Sequence, residues 1–234
     1  FDSAGRVTVT QSGSGTTTFN GNATITANGN IQNLTGGRTL NIVETLTFTG
    51  ANGDFRTGSS ETINIFGVWI DETAGTSRIG NPFGGSFEQA TFNNTGTFRK
   101  IGSATTNISN VFNNVSPGVV DVQAGTLNLS NGGTQTGDFV TAAGATLRFN
   151  GGTFTINTLS VSSLRVINTT VNVLGTLTVG GLLEVLTSDG VGTLLIDGVP
   201  AGSMETDDFF RLFISWSGLD IGFDRGSPVG RYAA

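Results

Sequence analysis

Phe92-Asn93-Asn94-Thr95-Gly96-Thr97-Phe98 recurs 20 residues later as Phe112-Asn113-Asn114-Val115-Ser116-Pro117-Gly118-Val119. Gly125-Thr126-Leu127-Asn128-Leu129-Ser130-Asn131-Gly132-Gly133-Thr134 returns as Ala145-Thr146-Leu147-Arg148-Phe149-Asn150-Gly151-Gly152-Thr153, again a shift of 20 residues. Short alternating apolar runs, broken by Gly and Asn and repeating at this length, predict an all-β chain. They predict a single strand wound as a parallel β-helix, a β-solenoid of about 20 residues per coil. One coil cannot bury its own apolar side, so each requires a neighbour above and below. In such a stack Leu127, Leu129, Leu147 and Phe149 occupy the apolar phase of equivalent strands and should form aligned inward rows.

Working outward, Arg6–Thr10, Ala23–Thr26, Thr39–Ile42 and Thr45–Thr49 show the same period of two. Gly13-Ser14-Gly15, Asn20-Gly21, Asn28-Gly29, Gly36-Gly37 and Asn52-Gly53 separate them as turn signals. Within a solenoid these residues mark corners where the chain bends through a positive φ. For residues 1–60 an antiparallel sandwich with Asn-Gly hairpins is the structural alternative. Residues 1–201 are expected to form about nine to twelve coils. A lengthened loop around 71–90 should interrupt them, because Asp71–Thr76 and Gly80–Gly85 break the alternation. After Ala201 the character changes, and Phe209-Phe210-Arg211-Leu212-Phe213-Ile214-Ser215-Trp216 is the most aromatic run in the chain. Residues 202–234 therefore read as a C-terminal cap or assembly segment, as a solenoid's last coil requires.

Composition narrows the function. Of 234 residues 36% are hydrophobic, but only 12% are charged, against roughly 25% in an average domain. The polar surface must therefore come from Thr, Ser and Asn. The net charge is −6 and no basic patch stands out, which argues against nucleic acid or anionic membrane as partner. No apolar run approaches the ~20 residues of a membrane span, so no membrane insertion is expected. Phe1-Asp2-Ser3-Ala4 does not look like a signal peptide, and the chain reads as a mature or excised piece.

The run from Phe112 through Gly118-Val119-Val120-Asp121-Val122 to Leu129, with Ala142-Ala143-Gly144-Ala145-Thr146-Leu147-Arg148-Phe149, resembles repeats of large secreted bacterial surface proteins. These are autotransporter-passenger-like and filamentous-haemagglutinin-like chains. Asp208–Phe213 with Gly218–Phe223 is similar to the segment that often closes such arrays. The resemblance implies a right-handed parallel β-helix at the cell surface or outside the cell. It implies no particular ligand; surface glycans and other matrix components are the partner classes it suggests.

The chain has no His and no Cys, which removes the usual nucleophile–base pairs and the His- or thiolate-ligated metal sites. No cofactor is expected. Carboxylate pairs for glycoside cleavage remain: Asp71 with Glu72, Asp207 with Asp208, and Asp189 with Asp197. A lyase would draw its base from Lys100, Arg99 or Tyr232. Asp189-Gly190 and Asp197-Gly198 offer oxygens but match neither calcium-binding repeat.

Two arrays remain. Thr8/Thr10, Thr24/Thr26, Thr45/Thr47/Thr49, Thr153/Thr155 and Thr176/Thr178 are Thr-x-Thr pairs, which in a flat ladder match an ice lattice. On any solvated β face, Thr is also simply a favoured residue. Asn93, Asn94, Asn113 and Asn114 recur at equivalent positions and are expected to form a hydrogen-bonded ladder at a corner. The overall expectation is a non-catalytic extracellular structural or adhesive protein that joins copies of itself end to end. Val7 and Val9 at one end and Phe209, Phe210, Phe213 and Trp216 at the other are the candidate assembly residues.

Overall fold

The computed structural model describes residues 8–58, 60–80, 90–186, 193–196, 199–200 and 212–215. Most strands are four residues long and alternate half-buried with buried side chains, as in Thr39–Ile42, Thr91–Asn94 and Val111–Asn114. The pleat sends successive side chains to opposite sides, so the apolar phase of each strand turns inward. Equivalent strands then pair in parallel from coil to coil. The result is a β-solenoid of about 7 turns with roughly 22 residues per turn, without a helix among the described residues. At ~4.8 Å per coil this body is about 35 Å long.

Three faces run along it. Face 1 carries Val68–Asp71, Thr97–Lys100, Val119–Val122 and Asp138–Thr141. Face 2 carries Ser77–Gly80, Thr105–Ile108, Thr126–Leu129, Thr146–Asn150, Leu164–Ile167 and Leu183–Leu186. Face 3 runs from Thr16–Phe19 through Thr39–Ile42, Thr62–Ile65, Thr91–Asn94 and Val111–Asn114 to Thr193–Ile196. The long strands Ala23–Leu34 and Thr45–Thr57 bend round the corner and serve faces 1 and 2 together, with register shifts around Asn28.

Phe92 lies directly beside Phe112, and Asn94 beside Asn114, so the sequence repeat is the coil repeat. Residues 1–60 do not form the alternative antiparallel sandwich over their described part: Thr8–Gln11, Thr16–Phe19 and Thr39–Ile42 all pair in parallel. The coils are fewer than nine because they are longer than 20 residues in the N-terminal half. Asn41 and Asn64 are stacked at a separation of 23, and Asn64 and Asn93 at 29. The loop expected around 71–90 is shorter than that, since Ser77–Gly80 is a regular face 2 strand and residues 81–89 lie outside the described residues. Leu212–Ser215, expected in a distinct cap, pairs in parallel with Leu183–Leu186 and continues face 2. The one antiparallel pairing among the described strands sets Val199–Pro200 against Leu195 and Ile196.

The core is a continuous column. Leu127, Leu129, Leu147 and Phe149 are fully buried, as their phase requires. Aromatic rings link the middle coils: Trp69 to Phe92 at 5.4 Å, Phe92 to Phe112 at 5.2 Å, Phe98 to Phe112 at 5.9 Å. Offset and edge-on rings at these distances add to the burial of their large apolar areas.

At the corner from face 3 to face 1, glycine is required by space rather than by a positive φ. A Cβ on Gly67 would stand 2.1 Å from Glu44 O, on Gly96 2.0 Å from Gly67 O, and on Gly137 2.2 Å from Gly118 O. The positive-φ turns expected throughout the chain do occur elsewhere, as at Gly36 and Gly37.

Two outcomes test this packing. Leu147→Asp should lower stability by more than about 4 kcal/mol, because it buries a charge without a partner. Gly96→Ala should lower it by about 1–3 kcal/mol by forcing adjacent backbones apart. Urea or thermal unfolding of each variant measures both.

Candidate functional site

The asparagine repeat forms two ladders rather than one, because residues 93 and 94 point to opposite sides of the strand. Asn93 and Asn113 lie mid-strand on the outer side of face 3, not at a corner. Asn64 Nδ2 donates to Asn41 Oδ1 at 2.9 Å, Asn93 Nδ2 to Asn64 Oδ1 at 3.0 Å, and Asn113 Nδ2 to Asn93 Oδ1 at 3.0 Å. The Thr134 backbone N–H closes the series on Asn113 Oδ1 at 2.9 Å. Asn41 and Asn64 belong to the ladder although their coils are longer, which hid them from a search at fixed spacing.

Asn94 and Asn114 are wholly buried at the corner between faces 3 and 1. Asn94 Nδ2 donates to Asn114 Oδ1 at 2.8 Å and to Val119 O at 3.0 Å. Asn114 Nδ2 donates to Asp138 O at 2.9 Å. Both amides thus satisfy carbonyls of strands that open face 1. Gln135 takes the same place one coil later, accepting the Asn114 backbone N–H at 3.2 Å and donating to Phe112 O. Ile65 and Ile156 occupy this place before and after the polar run.

Face 3 also gathers hydroxyls. Thr16, Thr39, Thr62 and Thr91 are register neighbours in one outward rank, and Thr18, Asn41, Asn64, Asn93 and Asn113 in the next. Val111 breaks the first rank; Thr153 with Thr170 and Thr155 with Asn172 carry the two ranks on. None of these described outward positions is charged. The Thr-x-Thr pairs from sequence are otherwise dispersed: Thr24 and Thr47 lie on face 1, where Ile70 follows Thr47. Charge is confined to the other faces, with Arg99 on Asp121 at 2.9 Å on face 1 and Arg165 on Glu184 on face 2.

One charged pair is internal. Asp71 and Lys100 are in-register neighbours on face 1, and both are fully buried where that face turns into face 2. Asp71 Oδ1 accepts from the Thr73 backbone N–H at 3.1 Å and from Thr73 Oγ1 at 2.7 Å. Thr106 Oγ1 donates to Asp71 Oδ2, and Ser77 Oγ donates to Thr106 Oγ1 at 3.1 Å. Lys100 Nζ donates to Gly102 O at 2.7 Å. Burial lowers the Lys100 pKa from its ordinary value, with the nearby Asp71 charge acting in the opposite sense. Thr73, Ser77 and Thr106 give no sign of this role in the sequence, since Thr106 lies 35 residues from the carboxylate it holds.

The carboxylate pair Asp71 and Glu72 is split, Asp71 turned into the core and Glu72 exposed. Asp189, Asp197, Asp207, Asp208 and Tyr232 lie outside the described residues. Among the described residues no three of His, Cys, Asp and Glu are grouped to hold a metal ion. Of the assembly candidates, Val9 lies in Thr8–Gln11 beside Gln32, and Phe213 in Leu212–Ser215 beside Glu184. Val7, Phe209, Phe210 and Trp216 lie outside the described residues. At the corner between faces 3 and 1, Val43, Phe66, Val115 and Leu174 are exposed apolar residues in equivalent positions.

No family model, curated protein or solved structure matches the chain.

Replacing Asn114 by Ala should destabilise by about 1–3 kcal/mol, because it strips the Asp138 carbonyl and Asn94 of buried partners. The same change at Asn113, on the half-buried outer side, should cost less. Paired denaturation curves compare the two positions directly.

Proposed function

We propose that this chain is a non-catalytic structural or adhesive element of the cell surface or extracellular space, stacking through its ends onto further copies. The observation that carries this reading is the unfinished state of the core at both ends of the described body. Phe19 and Ala23 are only partly buried, whereas their equivalents Ile42 and Leu46 in the next coil are fully buried. At the other end Leu177 and Val179 are likewise only partly buried. Thr8–Gln11 and Thr16–Phe19 each have one strand neighbour among the described residues, leaving backbone groups that another parallel strand can continue. The similarity of residues 91–157 to secreted surface repeats supports the location, and the segregation of charge away from face 3 supports a role carried by faces rather than by a cleft.

Light scattering and electron microscopy test the assembly. Particles larger than the 24.1 kDa chain, growing with concentration and elongated along one axis, are expected. A monomer at every concentration overturns stacking through the ends. Incubation with neutral and acidic polysaccharides should release no new reducing or unsaturated ends; their release would assign the chain to the carbohydrate-active enzymes instead.

A second reading rests on face 3. Its two neutral ranks of Thr and Asn repeat at ~4.8 Å along the stack and about 7 Å across it, a two-dimensional array of hydroxyl and amide groups suited to ordered water. The side-chain ladder from Asn41 to Asn113 holds the second rank in place. Thermal hysteresis and slowed ice recrystallisation are the expected signs, both lost in Thr62→Tyr. Growth of ice unaffected by the wild-type protein rejects ice binding.

A further inference from the structure

The internal pair Asp71 and Lys100 is used by neither reading of the surface. Lys100 is the single lysine of the chain, and it sits on the inner side of a strand. We propose that Lys100 Nζ and Asp71 Cγ are the two halves of an intramolecular amide bond that forms between adjacent coils of the folded chain.

Placement is the first support. The two residues are direct register partners on parallel strands, ~4.8 Å apart, and both are wholly buried. Rotation of the four-carbon lysine stem moves the amine from Gly102 O to the carboxyl carbon without any change of backbone. The fold holds the two groups together permanently, which replaces an encounter between separate molecules by a local rotation. The second support is the state of the amine. It makes no ion pair with Asp71 within 4.0 Å, and its hydrogen-bond acceptor is the neutral Gly102 carbonyl. Burial also pulls it toward the free base that a nucleophile requires.

The third support is the cradle around the carboxyl group. Two donors from Thr73, its backbone N–H and its hydroxyl, converge on Oδ1, where negative charge develops when a nucleophile adds to Cγ. The Thr106 hydroxyl holds Oδ2 and is itself held by Ser77 Oγ. Such an arrangement separates the two oxygens by role, one to carry charge and one to leave.

The step balances within these residues. A proton passes from the ammonium to the carboxylate, leaving the pair neutral overall, as it was before. The Nζ lone pair then forms the C–N bond while the C=O electron pair moves onto Oδ1 between the Thr73 donors. Nζ gives up a second proton, which reaches Oδ2 through the Thr106 hydroxyl. The Cγ–Oδ2 bond breaks, the Oδ1 pair restores the carbonyl, and Oδ2 departs with two protons as water. One C–O bond is exchanged for one C–N bond and nothing is oxidised or reduced. The dry core opposes return of the water and so favours the amide.

The proposal stands apart from the surface readings, and its test does not depend on them. The intact wild-type chain, purified after folding, should be lighter than its sequence by one water. After denaturation an amine-reactive reagent should label only the N-terminus, because the single lysine is consumed. Trypsin should leave Lys100–Ile101 uncut and yield a branched peptide containing Asp71. Lys100→Met and Asp71→Ala should show their full masses. Thr106→Val, which keeps both reacting groups, should form the bond more slowly. A wild-type chain at full mass, with Lys100 still labelled after days in the folded state, overturns the proposal. So does loss of water that persists in Lys100→Met, which would place the dehydration elsewhere.

Discussion

No coil of this protein is a stable object by itself, and the rest of the structure follows from that. A coil's inward side chains are covered only by the coils above and below, and its backbone N–H and C=O groups find partners only along the same axis. The side chain and the backbone therefore make the same demand, that equivalent residues lie directly over one another. Phe92 over Phe112 and Leu127 over Leu147 meet it with apolar contact. Asn64 over Asn93 over Asn113 meets it with amides on the outside. Alignment is thus enforced on both sides of the sheet at once.

The same demand explains how polar side chains come to be inside. A buried amide is tolerated where each of its groups has a partner, and stacking supplies partners that one coil lacks. Asn94 and Asn114 reach carbonyls at the start of face 1, so the corner loses no hydrogen bonds where the strand ladder bends away. Asp71 draws on residues of two successive coils, Thr73 and Ser77 from its own and Thr106 from the next. A shift of one coil by a single residue would leave several of these groups unpaired, so they act against misalignment as much as for stability.

The architecture was legible because the repeat at 92–98 and 112–118 falls where coils are short and near-identical. The inward phase of Leu127, Leu129, Leu147 and Phe149 could be read from alternation alone, since a strand has only two sides. The number of coils could not be read so well, because coil length is set by corners, and corners tolerate extra residues without disturbing the pleat. The Asn ladder was visible at Asn93 and Asn113 yet misplaced to a corner; adjacent asparagines look alike in sequence and face opposite ways in a strand. The buried cluster at Asp71 was hidden, because its members are common surface residues whose meeting depends on which strand stacks on which. Nothing in a Thr-rich chain marks Thr106 from its many neighbours.

The glycine column and the longer coils lie on different seams of the rod. Along the seam between faces 3 and 1, Gly67, Gly96 and Gly137 leave no room even for a methyl group, and apart from the wider turn at 115–118 the turn is equally short in neighbouring coils. On the seam between faces 2 and 3, the stretch from Gly80 to Thr91 absorbs most of the difference between a coil of 29 residues and one of 20. Change in this chain is therefore channelled. Whole coils can be duplicated or lost, since each brings its own glycine and its own asparagine, and new segments can be spliced at the permissive seam. The tight seam is inherited as it stands, which makes it the molecule's most conservative record of descent.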